Sequence, residues 1–178
     1  KFGVKNADSF YSNKVQTNLF NEIETGKISA DSFLKSLQKE TENASTNELR
    51  NAWNSMLLDL PKERIELLKK LKQDFPIYLL SNTNSIHISE FRKKLGETKY
   101  QEFYNLFDKV YYSHEIGFRK PNKEAFQLIL DENNLKANEV LFIDDSPQHI
   151  EGANKLGIQT HHLSDTEEVT TLFPGIIR

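Results

Sequence analysis

At 178 residues and 20.7 kDa, with 37% hydrophobic and 28% charged residues, the chain has the size and balance of one or two small soluble domains with a sizeable core. Its 23 Lys and Arg against 26 Asp and Glu leave a formal charge of −3, so no broad positive field invites nucleic acid or anionic lipid. A mean hydropathy of −0.62 and the lack of any membrane-length or signal-type apolar run predict a cytoplasmic protein with no membrane partner, and zero cysteines leave carboxylate, Ser, His and Lys chemistry.

From Lys5 to Leu60 the apolar residues fall at helical intervals, as in Leu49, Trp53, Met56, Leu57 and Leu60, with no alternating strand pattern. Breaks near Asn18, at Thr25-Gly26-Lys27 and over residues 42–46 divide this stretch into three or four short helices, with Ser29 and Ser45 or Thr46 as N-caps. After Pro61 the texture changes. An amphipathic helix carrying Ile65, Leu68 and Leu71 leads into the apolar run Ile77 to Leu80, which has the length of a strand. A helix from Ile86 to Leu95, a strand from Lys109 to Tyr112, a helix through Phe126 and Leu130 and a strand from Val140 to Ile143 follow. Last come a helix from Pro147 to Leu156, a short strand from Gln159 to His162 and a terminal helical turn. Strands separated by helices predict an α/β fold with a parallel sheet covered on both faces. The expected division is a helical domain over residues 1–60 and an α/β domain over residues 61–178.

Ligands of an open parallel sheet bind beyond the carboxyl ends of its strands, so those ends carry the candidate chemistry. The first ends in Ser81-Asn82-Thr83-Asn84, where the Ser81 hydroxyl and the Asn82 backbone N–H could donate to an anionic oxygen; a turn leading to a capped helix is the plainer alternative. The second leads through a loop to Lys120-Pro121, where the proline restricts the lysine backbone and aims its ammonium; a surface lysine before a turn is the alternative. The third runs from a wholly apolar strand into Asp144-Asp145-Ser146-Pro147. Adjacent carboxylates there repel unless a cation lies beside them, and a hard divalent ion such as Mg²⁺ resolves that cost. The competing reading has Asp145 or Ser146 capping a helix and Asp144 exposed.

Taken together and in this order, Leu80-Ser81-Asn82-Thr83-Asn84, Gly117-Phe118-Arg119-Lys120-Pro121 and Phe142-Ile143-Asp144-Asp145-Ser146 resemble the second, third and fourth motifs of the haloacid dehalogenase-like hydrolase superfamily. The resemblance runs from about Lys5 to His162. It is nearest to the α-helical-cap branch that holds bacterial α-D-glucose-1-phosphate phosphatases and the N-terminal phosphatase domain of soluble epoxide hydrolases. It implies a Rossmann-like core, a helical cap over residues 1–60, and hydrolysis of small phosphorylated metabolites, sugar phosphates foremost. By position, Ser81 and Asn82 would bind the phosphoryl group, Lys120 would steady it and the nucleophile, and Asp144 and Asp145 would hold Mg²⁺. The turn Glu24 to Ser29 is similar to a cap turn of that branch that can reach over the active site, or is a simple interhelical turn.

Such enzymes open with a strand ending in Asp-x-Asp, whose first Asp attacks phosphorus, and no Asp in these 178 residues has another two positions on. Phosphate-monoester hydrolysis can need acceleration approaching ~10²¹. One placed donor supplies about 3 to 4 kcal/mol, so Lys120 and Mg²⁺ do not replace the nucleophile. The missing strand would lie between Ile77–Leu80 and Val140–Ile143, and two unpaired strand edges are costly. The expectation is therefore a piece of a longer enzyme, inactive by itself. An inactive phosphate-binding or partner-binding module is the rival reading. The five histidines show no ligand spacing: His87 reads as a packed or exposed helix residue, and His161 and His162 point to opposite faces of a strand.

Overall fold

The computed structural model describes residues 18–174. In chain order the elements are α1 (Asn18–Glu24), α2 (Ala30–Lys39), α3 (Thr46–Asn54), α4 (Lys62–Asp74) and β1 (Tyr78–Ser81). Next come α5 (Ser85–Leu95), α6 (Glu97–Tyr104), β2 (Lys109–Tyr112), α7 (Ser113–Ile116) and α8 (Lys123–Glu132). The chain then forms a 3₁₀ turn (Ala137–Glu139), β3 (Leu141–Asp144), α9 (Pro147–Asn154), β4 (Gln159–His162) and a second 3₁₀ turn (Val169–Leu172). The expected first helix, before Asn18, lies outside the described residues.

Two compact units emerge. One takes the described part of Lys1–Asp59 with Asn82–Gln101 and Tyr112–Gly117; the other takes Leu60–Ser81, Glu102–Tyr111 and the described part of Phe118–Arg178. The first unit is helical. Ser29 caps α2 by accepting from the Ser32 N–H at 3.2 Å, and Ser45 and Glu48 form a reciprocal capping box at the start of α3. Its core gathers Phe20, Ile23, Phe33, Leu34, Leu49 and Ile86, with Trp53 packed alongside. The Phe20 and Phe33 rings lie 5.4 and 5.1 Å from the Trp53 ring, so three helices share one aromatic cluster. Gly26, at φ +67°, turns the chain between α1 and α2, where a Cβ would run into the His114 carbonyl.

The second unit carries the strands. β3 and β4 pair in parallel, Leu141 opposite Gln159 and Asp144 opposite His162. β1 pairs with β2, so the described strands form two two-stranded sheets. β1 and β3 do not pair with each other among the described residues, as the sequence expectation of a gap between them has it. Phe126, Leu130, Ala153 and Ile158 form the core here, with Leu80, Val140 and Phe142 packed against it.

The elements depart from the sequence expectation at β3, β1 and α7, and at α6, a helix the apolar pattern did not reveal. Val140 closes the 3₁₀ turn by donating its N–H to the Ala137 carbonyl at 3.2 Å, so β3 begins one residue late and takes in Asp144. β1 likewise starts at Tyr78 and ends on Ser81 rather than on Leu80. The stretch after β2, expected as loop, opens with the single turn α7, closed where Gly117 at φ +76° donates to the Ser113 carbonyl at 2.9 Å. No described helix is long and apolar enough to cross a membrane.

Candidate active site

The carboxyl ends of β1 and β3 are joined through one ammonium. Lys120 Nζ donates to the Leu80 carbonyl at 2.8 Å and to Asp144 Oδ2 at 2.7 Å, and it lies 5.5 Å from the centre of the Phe142 ring. Both charged side chains are buried, 9% exposed for Lys120 and 7% for Asp144. A buried pair needs its remaining donors and acceptors satisfied, and Asp144 meets that demand. Its Oδ1 accepts from the Ser146 N–H at 2.9 Å and from His149 Nδ1 at 2.8 Å. Burial by itself would raise the Asp144 carboxyl; the His149 and Lys120 contacts and the Ser146 amide outweigh it and hold the group well below the usual carboxylate range.

The cation beside the acidic pair is thus the lysine itself, and the picture of Asp144 exposed beside a capping Asp145 is not what the chain adopts. Ser146 occupies the N-cap position of α9 without a side-chain capping bond, and Pro147 begins the helix. Asp145 is exposed, and its position is held by its backbone: its carbonyl accepts from His162 Nε2 at 3.1 Å, while the Leu163 N–H bonds the Asp144 carbonyl at 3.0 Å. The register of β3 against β4 therefore holds the backbone at Asp144 and Asp145.

Ser81 ends β1, half-buried, one residue along from the carbonyl that binds Lys120. Asn82 follows it, also half-buried. Downstream, Thr83 is fixed from both sides by Ser113: its N–H donates to Ser113 Oγ at 2.9 Å, and that hydroxyl donates to the Thr83 carbonyl at 3.0 Å. Asn84 then caps α5, accepting from the His87 N–H at 3.0 Å. His87 is packed: its ring stacks on Trp53 with centroids 5.1 Å apart, and Nε2 meets the Trp53 carbonyl at 3.1 Å. Burial pushes the His87 imidazole below its ordinary range, the Trp53 carbonyl partly offsetting it.

The loop carrying Lys120 is seated by close packing. Its Lys120–Pro121 bond is cis, and Gly152 of α9 sits so near that a Cβ there would lie 2.5 Å from the Pro121 carbonyl oxygen. Sequence reasoning missed three contributors: Ser113, His149 and Gly152. Ser113 directly follows a strand, which is the one signal that could have singled it out.

The donor set suits a hard cation. Oxygen ligands dominate the strand ends, and the exposed Asp145 carboxylate carries no ion pair among the described residues. No cluster of three or more His, Cys, Asp or Glu side chains builds a closed cage among those residues. That is the pattern for Mg²⁺, which takes one or two carboxylates and completes its shell with water and phosphate oxygens.

A D-ribitol-5-phosphate phosphatase of Bacteroides thetaiotaomicron is 30% identical over 161 residues, 90% of this chain and 78% of that one. A HAD family enzyme from the same organism, crystallised as an Asp-to-Ala variant with magnesium and inorganic phosphate, superposes with a TM-score of 0.83 at 31% identity, covering 93% of this chain and 82% of that one. A HAD-like family hydrolase from Porphyromonas gingivalis gives a TM-score of 0.80 at 26% identity, over 96% of this chain and 83% of that one. Residues 7–157 match the haloacid dehalogenase-like hydrolase family as a whole, and with the three strand-end motifs converging as they do, the chain belongs to that family.

Proposed function

We propose that this chain is the larger part of a Mg²⁺-dependent phosphohydrolase acting on small phosphorylated metabolites, with sugar and polyol phosphates as the favoured class. The observation that carries the reading is the buried Lys120–Asp144 pair at the strand ends, with Asp145 exposed directly beside it. The Bacteroides phosphatase supports the substrate class by its name.

In this reading the residues divide the work. Asp145, with its exposed carboxylate, and Asp144, which also bonds Lys120, would hold the cation. Mg²⁺, when bound, draws negative charge from the phosphoryl oxygens. Ser81 and the backbone N–H of Asn82 donate to the same oxygens, and Lys120 places a fixed positive charge beside them in a site where burial strengthens it. Residues 1–60 serve as the helical cap and residues 61–178 as the catalytic core. The attacking carboxylate comes from an Asp-x-Asp segment that these 178 residues do not contain, and the phosphoryl group passes through an aspartyl-phosphate before water releases it.

The test is phosphate release from sugar phosphates, polyol phosphates, nucleotides and lipid phosphates, with and without Mg²⁺, in a chain extended to carry Asp-x-Asp. Metal-dependent release from the first two classes supports the reading. Turnover at ordinary enzyme rates by the 178 residues alone contradicts the assignment of the nucleophile. An inactive phosphate-binding or partner-binding module that lacks the nucleophile is the second reading; it predicts that the residues encoded before Lys1 hold no Asp-x-Asp and that the protein releases no phosphate.

A further inference from the structure

We infer that His149 is a positioning residue that sets the Lys120–Asp144 pair. It lies in the first turn of α9, with its backbone N–H bonded to the Ser146 carbonyl at 3.0 Å. From there its ring reaches back to the strand end, Nδ1 meeting Asp144 Oδ1 at 2.8 Å, while the side chain is 13% exposed. Together with the Ser146 N–H, it pins one carboxylate oxygen from the segment that follows β3. The other oxygen, Oδ2, is thereby turned toward Lys120 Nζ. Remove the imidazole and Oδ1 keeps a single donor, so the carboxylate can rotate away from the ammonium.

The far nitrogen strengthens the argument. A bond from the ring to a carboxylate needs the proton on Nδ1. Nε2 is buried with no hydrogen-bond partner among the described residues. A side chain that merely fills space would not leave a polar atom in that condition, since an apolar residue of similar size would avoid the loss. What the histidine gives in exchange is the bond to Asp144. The inference rests on the proposed phosphohydrolase for its consequence, the presentation of Lys120 to a phosphoryl group, and on geometry alone for the bond itself.

Three readouts on the 178-residue chain test it. In histidine labelled with ¹⁵N, the His149 ring is expected to show a protonated Nδ1; a bare Nδ1, or an averaged signal, overturns the inference. Acylation followed by mass spectrometry is expected to label Lys120 about tenfold faster in His149→Leu than in the wild type, in line with the usual weight of groups that orient a site. In His149→Asn, whose amide can still donate to Asp144, protection of Lys120 returns, and the exposed Lys69 reacts equally in all three proteins. Unchanged protection in the Leu variant, or equal loss in both variants, overturns the positioning role. Titration with inorganic phosphate and Mg²⁺ separates the two readings: a wild-type chain that binds neither counts against the phosphohydrolase, while tautomer and labelling still decide His149.

Discussion

Lys120 and Asp144 show how residue chemistry alone constrains this site. Each is costly to bury and each is tolerated because the other is there, so truncating one strands the partner. Lys120→Met is expected to lower unfolding stability by about 3 to 5 kcal/mol, read by urea denaturation at pH 7. The same pair fixes a pH dependence. The Asp144 carboxyl is depressed in the folded chain, so its contribution is fully present above the unfolded value, about 3.9, and is lost as pH falls below it toward the folded value. The stability gap between the wild type and Asp144→Asn should therefore be wide at pH 7 and narrow steadily between about pH 5 and pH 3; a gap constant over that range contradicts the pairing. Lys120, Asp144 and Asp145 were legible in the sequence because each directly follows a strand or borders a proline, where side chains are aimed. His149 was not, because a histidine in the first turn of a helix looks the same whether it faces solvent or reaches back to a strand end.

At the scale of elements, helix starts and the backbone approach at Gly152 carry the most information. Ser45 and Glu48 cap each other's backbone at the start of α3, and Ser45→Ala should cost about 1 kcal/mol by thermal unfolding. Gly152→Ala is expected to cost more, about 1 to 3 kcal/mol. Its Cβ would meet the Pro121 carbonyl oxygen at 2.5 Å and the Phe126 ring at 3.2 Å, both rigidly held, so α9 or the Lys120 loop must move. A Gly152→Ala protein with unchanged thermal midpoint would show that this packing is looser than drawn. Alternation of apolar runs with helical periods revealed the order of most strands and helices. It failed for α7, whose four residues are too few to display a period, and for α6, where Tyr100 is the lone buried residue. It also misplaced β3 by one residue, since Val140 is apolar yet belongs to the preceding turn.

For the molecule as a whole, three segments distant in sequence supply one set of groups because Lys120 Nζ bonds both the Leu80 carbonyl in β1 and the Asp144 carboxylate at the end of β3. Order along the chain, serine then lysine then paired aspartates, was readable before any coordinates, and so was the missing Asp-x-Asp. The break between β1 and β3 was likewise expected; what could not be read was the pairing of β1 with β2 and of β3 with β4, since pairing depends on neighbours that a linear pattern does not identify. The central claim is that Ser81, Lys120, Asp144 and Asp145 make a pocket for phosphate and a divalent cation. Calorimetric titration of inorganic phosphate into the chain, with and without Mg²⁺, tests it most directly. The account predicts binding that requires Mg²⁺ and weakens about tenfold or more in both Asp145→Asn and Lys120→Met; an affinity indifferent to Mg²⁺ and to both substitutions would contradict it.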